Sequence, residues 1–198
     1  NLISRFYDVS DGAVLIDGYN VRDITLKSLR SQMGIMLQDS VVFSGTIADN
    51  IRYGKLDATM DEIIKACETV RADEFIREFP DGYDTLINEG GSMLSQGQKQ
   101  LIAFARTLIS DPKILVLDEA TSSIDAKTEK LLQEGLDRLL EGRTSFIIAH
   151  RLSTIRNCDK IMYVAGGGIT ECGNHDELMA KKGDYYKLCT ARQEVPES

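Results

Sequence analysis

Ile114-Leu-Val-Leu-Asp-Glu-Ala-Thr-Ser-Ser-Ile-Asp125 decides how the chain folds. Four aliphatic residues run without a polar break and two carboxylates follow directly. So short and apolar a run reads as a strand buried on both faces, the habit of parallel sheets. Upstream, Ala13 to Ile16 lies between the turns Asp11-Gly12 and Asp17-Gly18, and Met33-Gly-Ile-Met-Leu37 forms a second buried strand that ends at Gln38. Downstream come a helix over 126–140, a third apolar run from Ser145 to Ala149 that ends at His150, and a short helix near Ser153. Strands over 160–164 and 168–172 follow, joined by a hairpin turn at Gly166 to Gly168. Strands alternating with helices predict an α/β fold with a parallel sheet covered on both faces. Between 46 and 110 the period changes to that of helices, over 46–53, 59–70, 72–79 and 95–109, with Pro80 and Pro112 as stops. The expected architecture is an α/β core, residues 1–37 and 111–198, interrupted by an all-helical lobe without a strand, residues 38–110. Asn1 to Tyr7 reads as the last turns of an amphipathic helix, and because Asn1 is not an initiator methionine the chain is expected to begin mid-domain.

Composition narrows the possibilities. The 198 residues are 42% hydrophobic and 27% charged, the profile of a globular protein rather than a disordered or fibrous one. Twenty-three Lys and Arg against thirty-one Asp and Glu give a formal charge of −8, so the broad positive field used in nucleic-acid binding is missing. Cys67, Cys158, Cys172 and Cys189 are far apart in sequence, with only His150 and His175 to join them, so neither a zinc site nor a disulfide framework is written here. Reduced thiols in a cytosolic setting fit best. The longest unbroken aliphatic stretch, Ile114 to Leu117, is far short of the roughly 18 apolar residues of a membrane span.

Ligands of open parallel sheets sit beyond the carboxyl ends of the strands, and four residues fall there. Asp118 could hold Mg²⁺ or its water, and Glu119 could accept a proton from, or orient, a water attacking a phosphoryl group; alternatively the pair opens a solvated turn. His150 could donate to a phosphate oxygen or serve as a structural hydrogen-bonder. Gln38 could orient water or touch Mg²⁺, or be an ordinary loop residue. On the helical lobe, Gly90-Gly-Ser-Met-Leu-Ser-Gln-Gly-Gln98 approaches a helix with Ser95 at its N-cap. The first-turn N–H groups, the helix dipole and the Ser95 hydroxyl together suit an anion, with Gly97 leaving no side chain in the way of a phosphate. A plain capped helix is the other reading. His175 is expected to be solvated near a helix start, and Tyr185 and Tyr186 to pack the last helix.

Together these segments resemble the ATP-binding cassette family. Leu94-Ser-Gln-Gly-Gln98 looks like its signature motif, and Ile114 to Asp125 like its Walker B strand, catalytic glutamate and D-loop. Ile148-Ala-His-Arg-Leu-Ser-Thr154 resembles the switch-histidine segment, and Gln38 to Asn50 the Q-loop, all in the family's order. Phe43-Ser-Gly-Thr-Ile47 and Glu89-Gly-Gly91 are most similar to the exporter branch, the multidrug and lipid type.

The resemblance implies a P-loop NTPase (RecA-like) core with an inserted helical signature subdomain, binding ATP and Mg²⁺. Asp118 and Gln38 would serve the metal. Glu119 would polarise the attacking water, and His150 and Gln38 would sense the γ-phosphate. A second nucleotide-binding domain, in a homo- or heterodimer, would face this one so that Ser95, Gly97 and Gln98 close on its nucleotide, with Asp125 at the shared interface. The transmembrane domain of the same transporter would rest on the helical lobe, at the cytoplasmic face of a membrane. A soluble clamp of the same family and a non-hydrolysing half of a heterodimer are the alternatives. Drug, lipid and peptide export are equally compatible with these residues.

One motif departs from the pattern. The phosphate loop G-x-x-x-x-G-K-[ST] is absent: the one Gly-Lys pair, Gly54-Lys55, is followed by Leu56 and has Asp49 where the first glycine belongs. In the family that loop directly precedes a helix equivalent to the one Asn1 to Tyr7 is expected to finish. The chain therefore reads as a fragment cut after its phosphate loop, expected to bind ATP poorly and hydrolyse it negligibly.

Overall fold

A computed structural model of the chain describes residues 2–36, 40–118, 126–149 and 152–193. Two compact units emerge, Asn1–Ile148 and Ala149–Ser198.

The first unit is built on three parallel strands, β3 (Met33–Met36), β6 (Ile114–Asp118) and β7 (Thr144–Ile148), in the order β3-β6-β7. β6 is central because its run has no polar side chain before Asp118, and Leu115 and Leu117 are both buried. Alternation along the strands separates two cores. Met36, Leu115 and Leu117 belong to the larger core, which holds the helices, whereas Met33 and Ile114 join Val21 and Leu29 on a smaller one. Covering the smaller core are the hairpin β1 (Leu15–Ile16) and β2 (Tyr19–Asn20), turned at Asp17-Gly18, and the helix α1 (Leu26–Ser31).

On the larger core lie α2 (Ile47–Arg52), α3 (Met60–Thr69), α4 (Asp73–Ile76), α5 (Gln96–Ile109) and α6 (Ala126–Leu140). α2, α3 and α5 start at Thr46, Thr59 and Ser95, whose hydroxyls each accept from the N3 backbone N–H while the N3 side chain accepts from the cap N–H. Such a reciprocal pair satisfies two donors that a helix start otherwise leaves bare. Within this lobe β4 (Gly45–Thr46) pairs antiparallel with β5 (Leu86–Ile87), so the expectation of a lobe without strands is corrected. Both strands are two residues long, too short for any periodic signal.

Residues 2–7 also differ from expectation, forming turns rather than helix. Among the described residues the turn has the backbone hydrogen bond from Arg5 N–H to Leu2 O, and Arg5 itself is left-handed at φ 51°. Its guanidinium donates to the carbonyls of Val21, Arg22 and Ile24, tying the turn to the hairpin instead of extending a ladder.

The second unit contains α7 (Leu152–Arg156), the antiparallel pair β8 (Ile161–Ala165) and β9 (Gly168–Gly173), α8 (His175–Lys181) and α9 (Asp184–Gln193). Ile161, Leu178, Tyr185 and Cys189 form its core. The Glu171 carboxylate accepts from the N–H groups of Asp184 and Tyr185, capping α9. His175 is half-buried, with Nδ1 2.8 Å from the Tyr185 hydroxyl, so it is less solvated than its sequence suggested. None of the described helices is long and apolar enough to cross a membrane.

Candidate functional site

Parallel register aligns the strand ends. Met36 is level with Leu117, Leu117 with Ile147 and Asp118 with Ile148, so β3, β6 and β7 finish along one edge of the sheet. Asp118, the last residue of the central strand, stands on that edge half-buried. Among the described residues no cation pairs with its carboxylate. Glu119 follows β6 by one residue, and Gln38 and His150 follow β3 and β7 by two. These three and Asp125 lie outside the described residues.

Carboxylate oxygen is the donor Mg²⁺ prefers, and Mg²⁺ commonly takes only one or two carboxylates when phosphates and water fill its other positions. Asp118 fits that role. Among the described residues no group of three or more His, Cys, Asp and Glu side chains gathers into a metal cage.

Ser95, Gly97 and Gln98 come together at the start of α5. Ser95 is exposed and extended, at φ −65° and ψ 161°, which lets its oxygen accept from the Gln98 N–H at 3.2 Å while Gln98 Oε1 accepts from the Ser95 N–H at 2.9 Å. The hydroxyl proton of Ser95 stays available for donation, because accepting a bond consumes only a lone pair. Among the described residues, the N–H groups of Gln96 and Gly97 have no acceptor, so they are the open donors of the first turn.

Gly97 has a different reason to be glycine from the one its sequence suggested. It is buried, and a β-carbon there would collide with the Thr128 methyl of α6. The room it leaves is filled by α6 packing side by side with α5.

Sequence reading missed a polar knot behind this helix. Asn50 is 1% exposed on α2, and Arg106 lies near the end of α5. The Arg106 guanidinium donates to Asn50 O at 2.7 Å, to Asn50 Oδ1 at 3.1 Å and to Val41 O at 2.8 Å. The available signal was spacing: Asn50 falls three residues after buried Ile47, on the face where an apolar residue belongs. Elsewhere in the lobe the Tyr83 hydroxyl and Arg77 Nε each donate to Asp73 at 2.7 Å. Burial would raise the Asp73 carboxyl, but these two bonds outweigh it and hold it below the ordinary range. Burial pushes the neighbouring Cys67 thiol up to about 12, so it is inert as a nucleophile.

A parallel sheet with an acid at the end of its central strand, packed against helices of which α5 starts at a capping serine, has the architecture of an ABC-type ATPase domain of the P-loop NTPase fold. Residues 1–122 match the ABC transporter family, and the chain belongs to it. It is 54% identical to an uncharacterized ABC transporter ATP-binding protein, YknV of Bacillus subtilis, over 97% of this chain and 32% of that protein. It is 50% identical to the ATP-dependent lipid A-core flippase of Syntrophus aciditrophicus, over 95% of this chain and 31% of that one. A solved bacterial Atm1-family ABC exporter with ATP bound superposes with a TM-score of 0.89 at 41% identity, covering 99% of this chain and 34% of that chain. The chain thus spans about a third of the length of these proteins.

Proposed function

We propose that the chain is the ATP-binding and ATP-hydrolysing part of an ABC exporter, at the cytoplasmic face of a membrane, with residues 1–37 and 111–198 as ATPase core and 38–110 as helical lobe. The observation that carries this reading is Asp118 at the level ends of three parallel strands. Likeness to exporter ATP-binding proteins over nearly the whole chain supports it.

Asp118 would hold Mg²⁺ through water, and the ion when bound would neutralise charge on the phosphate oxygens. Glu119 orients a water and accepts its proton as the water oxygen attacks the γ-phosphorus, while the bond to the β–γ bridging oxygen breaks and ADP leaves. Gln38 and His150 contact the γ-phosphate side of the nucleotide, Gln38 also approaching the metal. Ser95 and the open N–H groups of α5 close on the nucleotide of a second domain, with Gln98 beside them and Asp125 at the shared interface. ATP then joins two domains, and its hydrolysis releases them.

Glu119→Gln in the complete transporter tests the reading. Turnover is expected to fall about 100-fold or more, the usual contribution of a positioned general base, while ATP stays bound. Unchanged turnover would remove Glu119 from this role.

A further inference from the structure

Asn50 and Arg106 do more than fill space, because the chain they hold is the stretch that follows Gln38. Residues 41–44 belong to no strand, so their backbone groups need other partners. Asn50 Oδ1 accepts from the Phe43 N–H at 2.8 Å, and Asn50 Nδ2 donates to Phe43 O at 2.9 Å and Thr46 O at 3.0 Å. Arg106 takes Val41 O and, through Asn50 Oδ1, locks the amide that holds Phe43. The guanidinium carbon also lies 5.2 Å from the Phe43 ring centre, and Phe43 stacks on Tyr53 with ring centres 4.7 Å apart. Against α5 the end of α2 is seated directly: a β-carbon at Gly54 would collide with the carbonyl oxygen of Arg106. Residues 41–46, α2 and α5 are therefore tied by Asn50 and Arg106 in addition to the apolar core they share, and α5 carries Ser95 at its other end.

We infer that Asn50 and Arg106 are positioning residues for ATP hydrolysis: they fix the stretch after Gln38 to the helix that carries Ser95, so that the two ends of the lobe move as one body. The inference rests on the roles proposed above for Gln38 and Ser95. Arg106 fits the task because its planar fork reaches Asn50 O, Asn50 Oδ1 and Val41 O together, which a lysine ammonium cannot reproduce although it keeps the charge.

The test is a double-mutant cycle in the complete transporter, combining Arg106→Lys with Gln38→Ala, read as ATPase kcat and KM. Each single variant is expected to lower kcat about 10-fold with KM for ATP changed less than about 2-fold, and the double variant to fall no further than either single one. Faster hydrogen exchange at the Phe43 amide in Arg106→Lys, with α3 still protected, is expected alongside. A roughly 100-fold product in the double variant, or a loss in KM alone, overturns the inference while leaving the Gln38 role intact. Full activity of Gln38→Ala overturns the underlying reading of Gln38 and the inference with it. If Arg106→Lys does not fold, Asn50→Asp takes its place in the same cycle, because it keeps the Arg106 contact and removes both Nδ2 donations.

Discussion

At the scale of single residues, two positions separate packing from chemistry. Gly97 is the second residue of α5, where alanine keeps part of its advantage of about 1 kcal/mol over glycine in helix propensity. Its β-carbon would meet Thr128, and overpacking a well-filled contact costs about 1 to 3 kcal/mol. Gly97→Ala is accordingly expected to lower the melting temperature despite the better propensity; a raised one would show that α5 and α6 are not closely packed there. Asp73 gives a pH signature. Its folded-state carboxyl is held below the ordinary value of about 4, so its contribution is complete above that value and disappears as pH falls through the lower folded one. With Tyr83 and Arg77 both donating to it, that contribution is about 1 to 2 kcal/mol. Urea unfolding between pH 5 and pH 2 should therefore show a stability loss that is smaller in Asp73→Asn.

At the scale of elements, the second unit depends on a cap borrowed from a strand. Glu171 on β9 accepts from the first N–H groups of α9, placing a negative charge at the positive end of the helix. Glu171→Ala should cost about 1 kcal/mol and speed amide exchange in α9 without touching α5, whereas uniform loss of protection in both would contradict a local cap. The same scale shows how much of the fold could be read from sequence. β3, β6, β7 and the starts of α2, α3 and α5 were legible because apolar runs and the hydroxyls of Thr46, Thr59 and Ser95 are local signals. α1 was not: it buries one residue, Leu29, so it has no apolar period, and only Thr25, whose side chain caps it, could have marked it. The pairing of Gly45–Thr46 with Leu86–Ile87 joins residues some forty apart through two positions each, which no local pattern encodes. Of the site, the strand-end acid and the Ser95 cap were legible as chemistry, but the Asn50 and Arg106 knot was not, because its partners are backbone carbonyls that any sequence supplies.

At the scale of the whole molecule, the proposed nucleotide pocket is a joint product of two domains, with Asp118 and its neighbours supplied by one and the Ser95 end of α5 by the other. The 198 residues alone lack a phosphate loop, so they are expected to bind ATP more weakly than micromolar and to show no turnover; isothermal titration would detect the contrary. The most direct test of the joint pocket is ATP retention by the complete transporter carrying Glu119→Gln, measured after rapid desalting, with and without Ser95→Glu. A carboxylate at the α5 start would face phosphate across the domain boundary and repel it. Retained ATP in the first protein and its loss in the second is the predicted result; equal retention in both would contradict the claim that Ser95 closes on a nucleotide held by another domain.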